Sequence, residues 1–253
     1  MSYTIITGAS SGIGKDFSKQ LAQQGNNLIL IARRLDKLDG LAQELRATYG
    51  VKIETLSADL ATMESSAEIE KKITESAWKV NGLINNAGFG DRGAFIDIPL
   101  DRQLQMIQLN VTTLVDLTYR LLPLIKQQQN AFIINVASTA AFQAGPNMAI
   151  YYATKAFVLS FSEALHEELK SEGIDVSALC PGATDSEFAS EAHMADTKLF
   201  KAGTMTSEVV AKTALKKRKK AIVITGWKNI FGVWSGKFSP RSVTRKLAGW
   251  LQA

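Results

Sequence analysis

The sequence has few residues of the kinds that form cross-links or bind transition metals. Among 253 residues there is one cysteine, Cys180, and there are two histidines, His166 and His193. One cysteine cannot form a disulfide within the chain, which is typical of proteins in a reducing compartment. Three such residues scattered along the sequence do not make a metal-ligand cluster. We therefore expect a cytoplasmic protein without a metal centre.

Long apolar stretches are also missing. No run reaches the roughly 18 residues of a membrane-spanning helix. The first residues, MSYTII, lack the basic and apolar regions of a signal peptide and fit a first strand instead. Because 46% of the residues are hydrophobic and 21% are charged, the composition is that of an ordinary globular protein. The length suits a single α/β domain spanning residues 1–253.

Acidic residues are absent from the last part of the chain. None follows Glu208, whereas eleven of the 29 Lys and Arg residues lie between Lys212 and Lys246. The other 18 basic residues are outnumbered by 24 acidic ones, so an acidic body carries a basic tail. No nucleic-acid-binding motif accompanies the basic residues, and we expect no nucleic-acid partner.

Seven short runs rich in Ile, Leu and Val predict strands buried on both faces. They lie at residues 3–7, 27–32, 52–57, 82–85, 131–137, 175–180 and 221–225. Apolar residues at helical spacing lie between them, at 35–45, at 69–80 and at 157–169, where Gly173 ends the helix. This alternation predicts a single doubly wound parallel sheet of the Rossmann type, with helices on both faces.

A glycine-rich turn, TGASSGIG, joins the first strand to a helix at residues 7–14. Its backbone N–H groups and the helix dipole suit a pyrophosphate, and its glycines permit close approach. The spacing differs from G-x-G-x-x-G, and the alternative is a turn without a ligand. The candidate cofactor-binding residues here are Gly8, Ser10, Ser11, Gly12, Ile13 and Gly14.

The end of the second strand indicates which dinucleotide binds. Arg33 and Arg34 follow that strand directly, and the nearest carboxylate, Asp36, comes three residues after Arg33. An acidic residue here would bind the ribose hydroxyls of NAD, whereas arginine suits the 2′-phosphate of NADP. The sequence therefore favours NADP(H), the alternative being a solvated pair of charges.

Three residues form a candidate catalytic centre. Tyr151 and Lys155 are four residues apart and share a helix face. Ser138 follows the fifth strand, at the carboxyl edge where ligands bind in open α/β sheets. The Tyr-x-x-x-Lys spacing alone is weak evidence, because lysine is frequent in this chain.

Together these motifs identify a family. The sequences TGASSGIG and NNAG (85–88), with Asn110, Ser138, the Tyr151 and Lys155 pair and Pro181-Gly182, resemble the short-chain dehydrogenase/reductase family in the same order. The resemblance covers about the first 225 residues. It implies an oxidoreductase that interconverts a carbonyl and an alcohol by hydride transfer.

The resemblance also implies residue roles. Tyr151 would be the general acid/base, Lys155 would lower its pKa and hold the nicotinamide ribose, and Ser138 would hydrogen-bond the substrate oxygen. Asn110 would anchor a water that links Lys155 to solvent. The further implied cofactor contacts are Asp59, Leu60, Asn86, Ala87, Gly88, Pro181, Gly182, Thr184 and Ser186.

Some of these implied roles have alternatives. Asn85 and Asn86 are equally explained as turn-forming residues. Ser186 occupies a position where the family commonly has threonine, so either Ser186 or Thr184 contacts the nicotinamide carboxamide. The chain as a whole could instead be an NAD-linked alcohol dehydrogenase or a non-catalytic NADP-binding regulatory protein.

Apolar residues near the expected cleft suggest a small, apolar-leaning carbonyl or alcohol substrate. They are Phe89, Phe142, Phe188, Met194, Leu199 and Phe200. The family resemblance further implies a homodimer or homotetramer, formed through the helices that carry Asn110 and Tyr151.

The basic C-terminal segment, from about 226 to 253, contains three of the four tryptophans. Trp227, Ile230, Phe231, Trp234 and Phe238 recur at helical spacing, as do Val243, Leu247, Trp250 and Leu251. We expect Gly232, Gly236 and Pro240 to interrupt any long helix. Such a segment can make peripheral contact with a membrane. It can also pack its apolar faces on the protein's own body, covering the substrate cleft or a subunit interface, which is the more common fate of such a segment.

Overall fold

Short strands rich in Ile, Leu and Val pair in parallel, as is typical of strands buried on both faces. The computed structural model of the protein describes residues 2–252. Seven parallel strands form one sheet in the order β3-β2-β1-β4-β5-β6-β9, and β7 and β8 form a separate parallel pair. The strands are β1 (Tyr3–Thr7), β2 (Asn27–Ala32), β3 (Ile53–Ser57), β4 (Val80–Asn85), β5 (Phe132–Val136), β6 (Asp175–Cys180), β7 (Thr184–Asp185), β8 (Met205–Thr206) and β9 (Ile222–Ile224).

Helices cover both faces of the sheet. They are α1 (Gly12–Gln23), α2 (Leu35–Tyr49), α3 (Ser65–Glu75), α4 (Leu100–Ile107), α5 (Leu114–Ile125), α6 (Ala149–Lys170), α7 (Glu187–Glu191), α8 (Lys198–Lys201), α9 (Ser207–Lys217), α10 (Trp227–Phe238) and α11 (Arg241–Gln252). A wider, π-helical turn at Gln108–Thr113 joins α4 to α5. No helix within residues 2–252 combines the length and the apolar character that crossing a bilayer requires.

The core follows from the alternation of side chains along each strand. In β1, Ile6 points into the layer that contains Phe17 of α1, whereas Ile5 points into the layer that contains Leu117 of α5. All four side chains are essentially inaccessible to solvent. The two apolar layers thus hold the sheet rigid between the helices.

The doubly wound parallel sheet is confirmed, and the seven predicted strands are all present with bounds shifted by at most two residues. Two expectations are wrong. The helix predicted over 69–80 ends at Glu75, because Ala77 adopts a left-handed φ of 51° and Val80 begins β4. Gly232 and Gly236 lie inside α10 and do not interrupt it, whereas Pro240 does separate α10 from α11.

The strand order places the site. β1 is flanked by β2 on one side and by β4 on the other. The connections that leave these strands therefore run in opposite directions, which opens a crevice at the carboxyl edge of the sheet.

Candidate active site

A cavity of about 770 Å³ runs along the carboxyl ends of the strands. The predicted site residues that line it are Gly8, Ser10, Ser11, Gly12, Ile13, Arg33, Arg34, Asp59, Leu60, Asn86, Ala87, Gly88, Ser138, Tyr151, Lys155, Pro181, Gly182, Thr184 and Ser186. Gly14 and Asn110 are the two predicted residues that lie behind its wall. The sequence motifs therefore converge on one space.

The glycine-rich turn forms the floor at one end. Gly8 and Gly12 have left-handed φ values of 65° and 49°, which side chains rarely tolerate. A Cβ atom on Gly14 would overlap the carbonyl oxygen of Gly8, so this glycine lets α1 pack closely on the turn. A Cβ atom on Gly12 would approach the Ser186 side chain to 3.0 Å. The turn therefore leaves bare backbone facing the cavity.

The end of β2 presents a cation to this turn. The Arg34 guanidinium donates to the Ser10 and Ser11 hydroxyls, at 3.1 Å each. It also forms an ion pair with Glu187 Oε2 at 2.7 Å, while Glu187 Oε1 lies 3.0 Å from the ammonium of Lys37. Arg33 lines the same end but is exposed. Arg34 is thus the arginine held against the glycine-rich turn.

The two turns after β3 and β4 complete this end. The Asp59 carboxylate accepts from the Ala61 N–H at 3.1 Å. The Asn86 side chain donates to the Thr7 carbonyl at 2.9 Å and so ties the β4 turn to the β1 turn. Asn85 instead points away from the cavity, where it donates to Thr118 and Asn135. Asn85 therefore ties β4 to α5 and β5, a role different from the turn-forming one considered from the sequence.

Ser138, Tyr151 and Lys155 meet at the centre of the cavity. Tyr151 and Lys155 lie one turn apart on α6, and both are buried, with 8% and 6% of their surface exposed. The Ser138 hydroxyl accepts from the Ala140 N–H at 3.1 Å. The Lys155 ammonium donates to the Val136 carbonyl at 2.8 Å and lies 5.8 Å from the Tyr151 ring centre.

Burial is the largest influence on the pKa values of Tyr151 and Lys155. It raises the pKa of Tyr151 above the usual 10, and a hydrogen bond with Ser138 opposes that rise only in part. Burial also lowers the pKa of Lys155 to about 8. Desolvation is thus the largest influence on the pKa of Tyr151, and the Lys155 ammonium lies too far from the ring to offset it.

Asn110 holds the site from behind. It lies in the π-helical turn, a feature often found at functional sites. Its side-chain oxygen accepts from the Phe89 N–H at 3.1 Å, and its nitrogen donates to the Phe89 carbonyl and the Thr154 hydroxyl. Because the Asn110 side chain bonds to both Phe89 and Thr154, it holds α6 against the turn that follows β4.

The segment after β6 closes over the glycine-rich turn. Thr184 is buried and donates to the Gly182 carbonyl at 2.9 Å. Ser186 lies across from Gly12. Both residues line the cavity, so the choice between Thr184 and Ser186 as the carboxamide contact stays open.

The other end of the cavity is apolar. Phe89, Phe188, Met194, Leu199 and Phe200 line it, as predicted. Phe142 does not, because it packs beneath against the cluster around Val158. Sequence reasoning missed four residues that also line this end, namely Arg102, Tyr152, Leu251 and Gln252.

The end of α11 reaches this apolar region by specific contacts. The Gln252 amide donates to the Tyr152 hydroxyl at 2.6 Å, and the Arg92 guanidinium donates to the Gln252 carbonyl at 2.8 Å. The helical periodicity of the tail predicted α11, but no local signal in the sequence shows where it docks. Glu187 was missed for the same reason, since 153 positions separate it from Arg34.

Comparison with known proteins agrees with this arrangement. The sequence profile described as short chain dehydrogenase matches residues 2–196. The chain belongs to the short chain dehydrogenase family. A relative at 35% identity over 183 residues is the very-long-chain 3-oxoacyl-CoA reductase of Anas platyrhynchos, with 71% of this chain and 58% of that protein covered. The chain therefore spans little more than half the length of the curated relatives it matches.

Solved structures cover the chain more completely. A short-chain dehydrogenase from Sphingobium yanoikuyae in complex with NADPH is 34% identical, with a TM-score of 0.82 over 94% of this chain and 95% of that one. A bulky-bulky ketone specific alcohol dehydrogenase from Comamonas testosteroni is 31% identical, with a TM-score of 0.78 over 94% and 92%. These two solved structures therefore share the sheet and the surrounding helices of this chain.

Proposed function

We propose that this short chain dehydrogenase is an NADP(H)-dependent oxidoreductase that interconverts a carbonyl and an alcohol, with Tyr151 as general acid/base. The observation that carries the proposal is one continuous cavity with a phosphate-binding turn and an arginine at one end and the Ser138, Tyr151 and Lys155 centre in the middle. A non-catalytic binding protein would not need that centre.

The residues at the first end fit a dinucleotide phosphate. Gly8, Gly12 and Gly14 leave the turn without side chains where a pyrophosphate would lie. The hydroxyls of Ser10 and Ser11 and the guanidinium of Arg34 form a cluster of hydrogen-bond partners beside it. Such a cluster suits the 2′-phosphate of NADP, because arginine binds phosphate oxygens through a charge-assisted fork.

The chemistry follows from the groups at the centre. When bound, the reduced nicotinamide supplies a hydride to the carbonyl carbon. Tyr151 then gives its phenolic proton to the carbonyl oxygen, and Ser138 donates a hydrogen bond to that oxygen. The product is an alcohol, and Tyr151 is reprotonated from solvent.

Tyr151 is in the protonated form at neutral pH, because the pKa of a phenol is 10 and burial raises that of Tyr151 further. The protonated form is the one that carbonyl reduction needs. In the oxidative direction the phenolate must form, and a positive charge near the ring would then be required. The Lys155 ammonium is the nearest such group on the protein.

A second candidate is an NAD-linked dehydrogenase, and Glu187 favours it. Its carboxylate already pairs with Arg34 and Lys37 at the place proposed for the 2′-phosphate. A carboxylate in this position can accept hydrogen bonds from ribose hydroxyls. The two candidates therefore differ in what Arg34 binds when the cofactor is present. It binds the 2′-phosphate in the NADP(H) candidate and stays paired with Glu187 in the NAD candidate.

We propose an apolar substrate that is bulkier than the small one expected from the sequence. The far end of the cavity is formed mainly by aromatic and aliphatic side chains, including Phe89, Phe188 and Phe200. The names of some proteins similar to this chain specify bulky substrates. One is a 17-beta-hydroxysteroid dehydrogenase type 3 from Homo sapiens, at 33% identity. Steroid ketones, aryl ketones and long 3-oxoacyl thioesters are therefore the first compounds to test.

The test is a comparison of kcat/KM with NADPH and NADH on a panel of such ketones. We expect at least a tenfold preference for NADPH, about 1.4 kcal/mol. Arg34→Ala should remove most of that preference and spare turnover with NADH. Arg33→Ala is the matched control, because Arg33 is adjacent but exposed, and it should have a smaller effect. Equal use of both cofactors by the wild type would favour the NAD-linked candidate.

We also propose that the protein is a homodimer or homotetramer. The helices expected to form the interface expose large apolar side chains, including Leu100 and Leu104 on α4, Tyr119 on α5 and Phe157 on α6. Light scattering coupled to size-exclusion chromatography measures the mass directly, and a monomer at micromolar concentration would exclude this assembly.

A further inference from the structure

The helix α10 presents an apolar stripe to solvent. Trp227, Phe231, Trp234 and Phe238 are three or four residues apart, and they are 75%, 73%, 53% and 84% exposed. The helix packs on the body mainly through Val233 on its other side. The stripe therefore does not pack on the body of its own chain, which leaves a subunit interface or a membrane as its possible partner.

The next helix, α11, repeats the pattern. Val243, Leu247 and Trp250 lie along one side, and more than half of each is exposed. The opposite side packs on the body through Ala248 and Gln252, which are buried. Seven large apolar side chains on two consecutive helices are thus turned away from the core.

The same two helices carry only positive charge. Five basic residues lie among the apolar ones, namely Lys228, Lys237, Arg241, Arg245 and Lys246. Within residues 2–252, none of the five has a carboxylate oxygen within 4.0 Å. These charges are therefore available to an anionic partner, although the body of the protein is acidic.

We propose that α10 and α11 bind the surface of an anionic lipid bilayer. Tryptophan and phenylalanine side chains lie at the boundary between headgroups and acyl chains, and basic residues beside them attract anionic headgroups. A second copy of the chain is a poorer occupant, because a symmetric contact would bring two sets of five positive charges together. The bilayer complements both the apolar stripe and the charge.

The position of these helices links the bilayer to the cavity. Leu251 and Gln252, at the end of α11, line the apolar end of the cavity, while Trp250 beside them is exposed. An apolar compound dissolved in the bilayer would therefore meet the cavity mouth beside the bound helix.

The test uses the full-length protein and sedimentation with two kinds of vesicle, one of phosphatidylglycerol and phosphatidylcholine, the other of phosphatidylcholine alone. We expect binding to the anionic vesicles only, with weakening as salt is raised. Three of the four tryptophans, Trp227, Trp234 and Trp250, are exposed, so their fluorescence should shift to the blue on binding. A wild type that stays in the supernatant at low salt overturns the proposal.

Two pairs of variants locate the contact. Phe231→Gln with Phe238→Gln should weaken vesicle binding at least about fivefold, whereas Met63→Gln, at an exposed apolar residue far along the chain, should leave it unchanged. Equal binding by the phenylalanine double variant and the wild type overturns the proposal. All these side chains are exposed, so circular dichroism should show an intact fold.

The second pair controls for net charge. Lys228→Gln with Lys237→Gln should weaken binding by about tenfold or more, since each basic residue near an anionic surface contributes several-fold to the partition coefficient. Lys216→Gln with Lys217→Gln, on α9, removes the same charge and should have a clearly smaller effect. Equal loss in the two variants overturns the assignment to α10 and α11. A change of mass in the phenylalanine variant, with no vesicle binding by the wild type, assigns the surface to a second copy instead.

Discussion

Glu187 gives the sharpest test of how the cofactor end of the cavity works. Its carboxylate joins α7 to the end of β2 through Arg34 at 2.7 Å and Lys37 at 3.0 Å. A 2′-phosphate that binds Arg34 must displace this carboxylate or lie beside it, and both cost free energy because the two groups carry like charge. We therefore predict that Glu187→Gln binds NADPH more tightly than the wild type.

The magnitude follows from the exposure of the pair. The side chains of Arg34 and Glu187 are 39% and 43% exposed, so solvent screens their attraction. Exposed ion pairs of this kind contribute up to ~1 kcal/mol each. Release of about 1 kcal/mol corresponds to roughly a fivefold lower Kd for NADPH. The Kd for NADH, which lacks the 2′-phosphate, should change by less than about twofold.

The pH of the experiment follows from the sign of the shift. Arg34 first, and Lys37 second, lower the pKa of Glu187 from 4.5 to about 2. A carboxylate with a depressed pKa contributes its ion pair above the unfolded value, and loses it as the pH falls toward about 2. At pH 7 the pair is therefore fully formed in the wild type. Fluorescence titration with both cofactors at this pH and at low salt measures the difference.

Glu191→Gln is the matched control for this measurement. Glu191 lies on the same helix, also lines the cavity and has no ion pair within the described part of the chain. It should leave the ratio of the two Kd values unchanged. Weaker NADPH binding by Glu187→Gln would refute the reasoning, because the carboxylate would then be helping to close α7 over the cofactor. Equal tightening of both cofactors would refute it too.

Four further predictions concern the catalytic centre, the glycine-rich turn and helix α2. Tyr151→Phe should lower kcat by ~10²–10⁴-fold while NADPH binding is kept, and more than a tenth of wild-type kcat would mean another proton donor. Because burial lowers the pKa of Lys155 from 10.5 to about 8, the unfolded chain binds more protons between these values. The free energy of unfolding of the wild type, from urea titrations, should therefore rise over this range relative to Lys155→Met. Gly14→Ala should lower the melting temperature, at a cost of ~1–3 kcal/mol, because its Cβ would overlap the Gly8 carbonyl. Gly40→Ala in α2, where a Cβ meets nothing within 4 Å, should stabilise by up to ~1 kcal/mol.

The strands and the cofactor end were predictable because each depends on local pattern. A strand buried on both faces is usually a short run dominated by apolar residues, as in β2 and β6, whose predicted bounds are those observed. The glycine-rich turn and Ser138 each follow a strand directly, and parallel strands bring such positions to one edge of the sheet. Periodicity failed at Ala77 and Val80, because a change of backbone conformation at Ala77 leaves the apolar spacing unaltered.

Contacts between distant segments were not predictable. Glu187 meets Arg34 across 153 positions, and Gln252 meets Tyr152 across 100. No pattern in the sequence around Glu187 or Gln252 indicates these contacts. A glutamate in a short helix, for example, is usually solvated. The exposure of Trp227 and Phe231 could not be predicted for a related reason. An amphipathic period predicts two faces but does not show which of them packs on the body.

The two ends of the cavity therefore differ in how they are held in place. The cofactor end is formed by turns fixed to a rigid sheet, and the same core positions Lys155 and Ser138 at the centre of the cavity. The substrate end is formed by α7, α8 and α11, which are held by a few polar contacts such as that of Arg92 with the Gln252 carbonyl. Segments with few buried contacts open at low cost in free energy. Substrate entry should therefore depend on these helices, and any partner that binds α11 acts on selectivity before it acts on the chemical step.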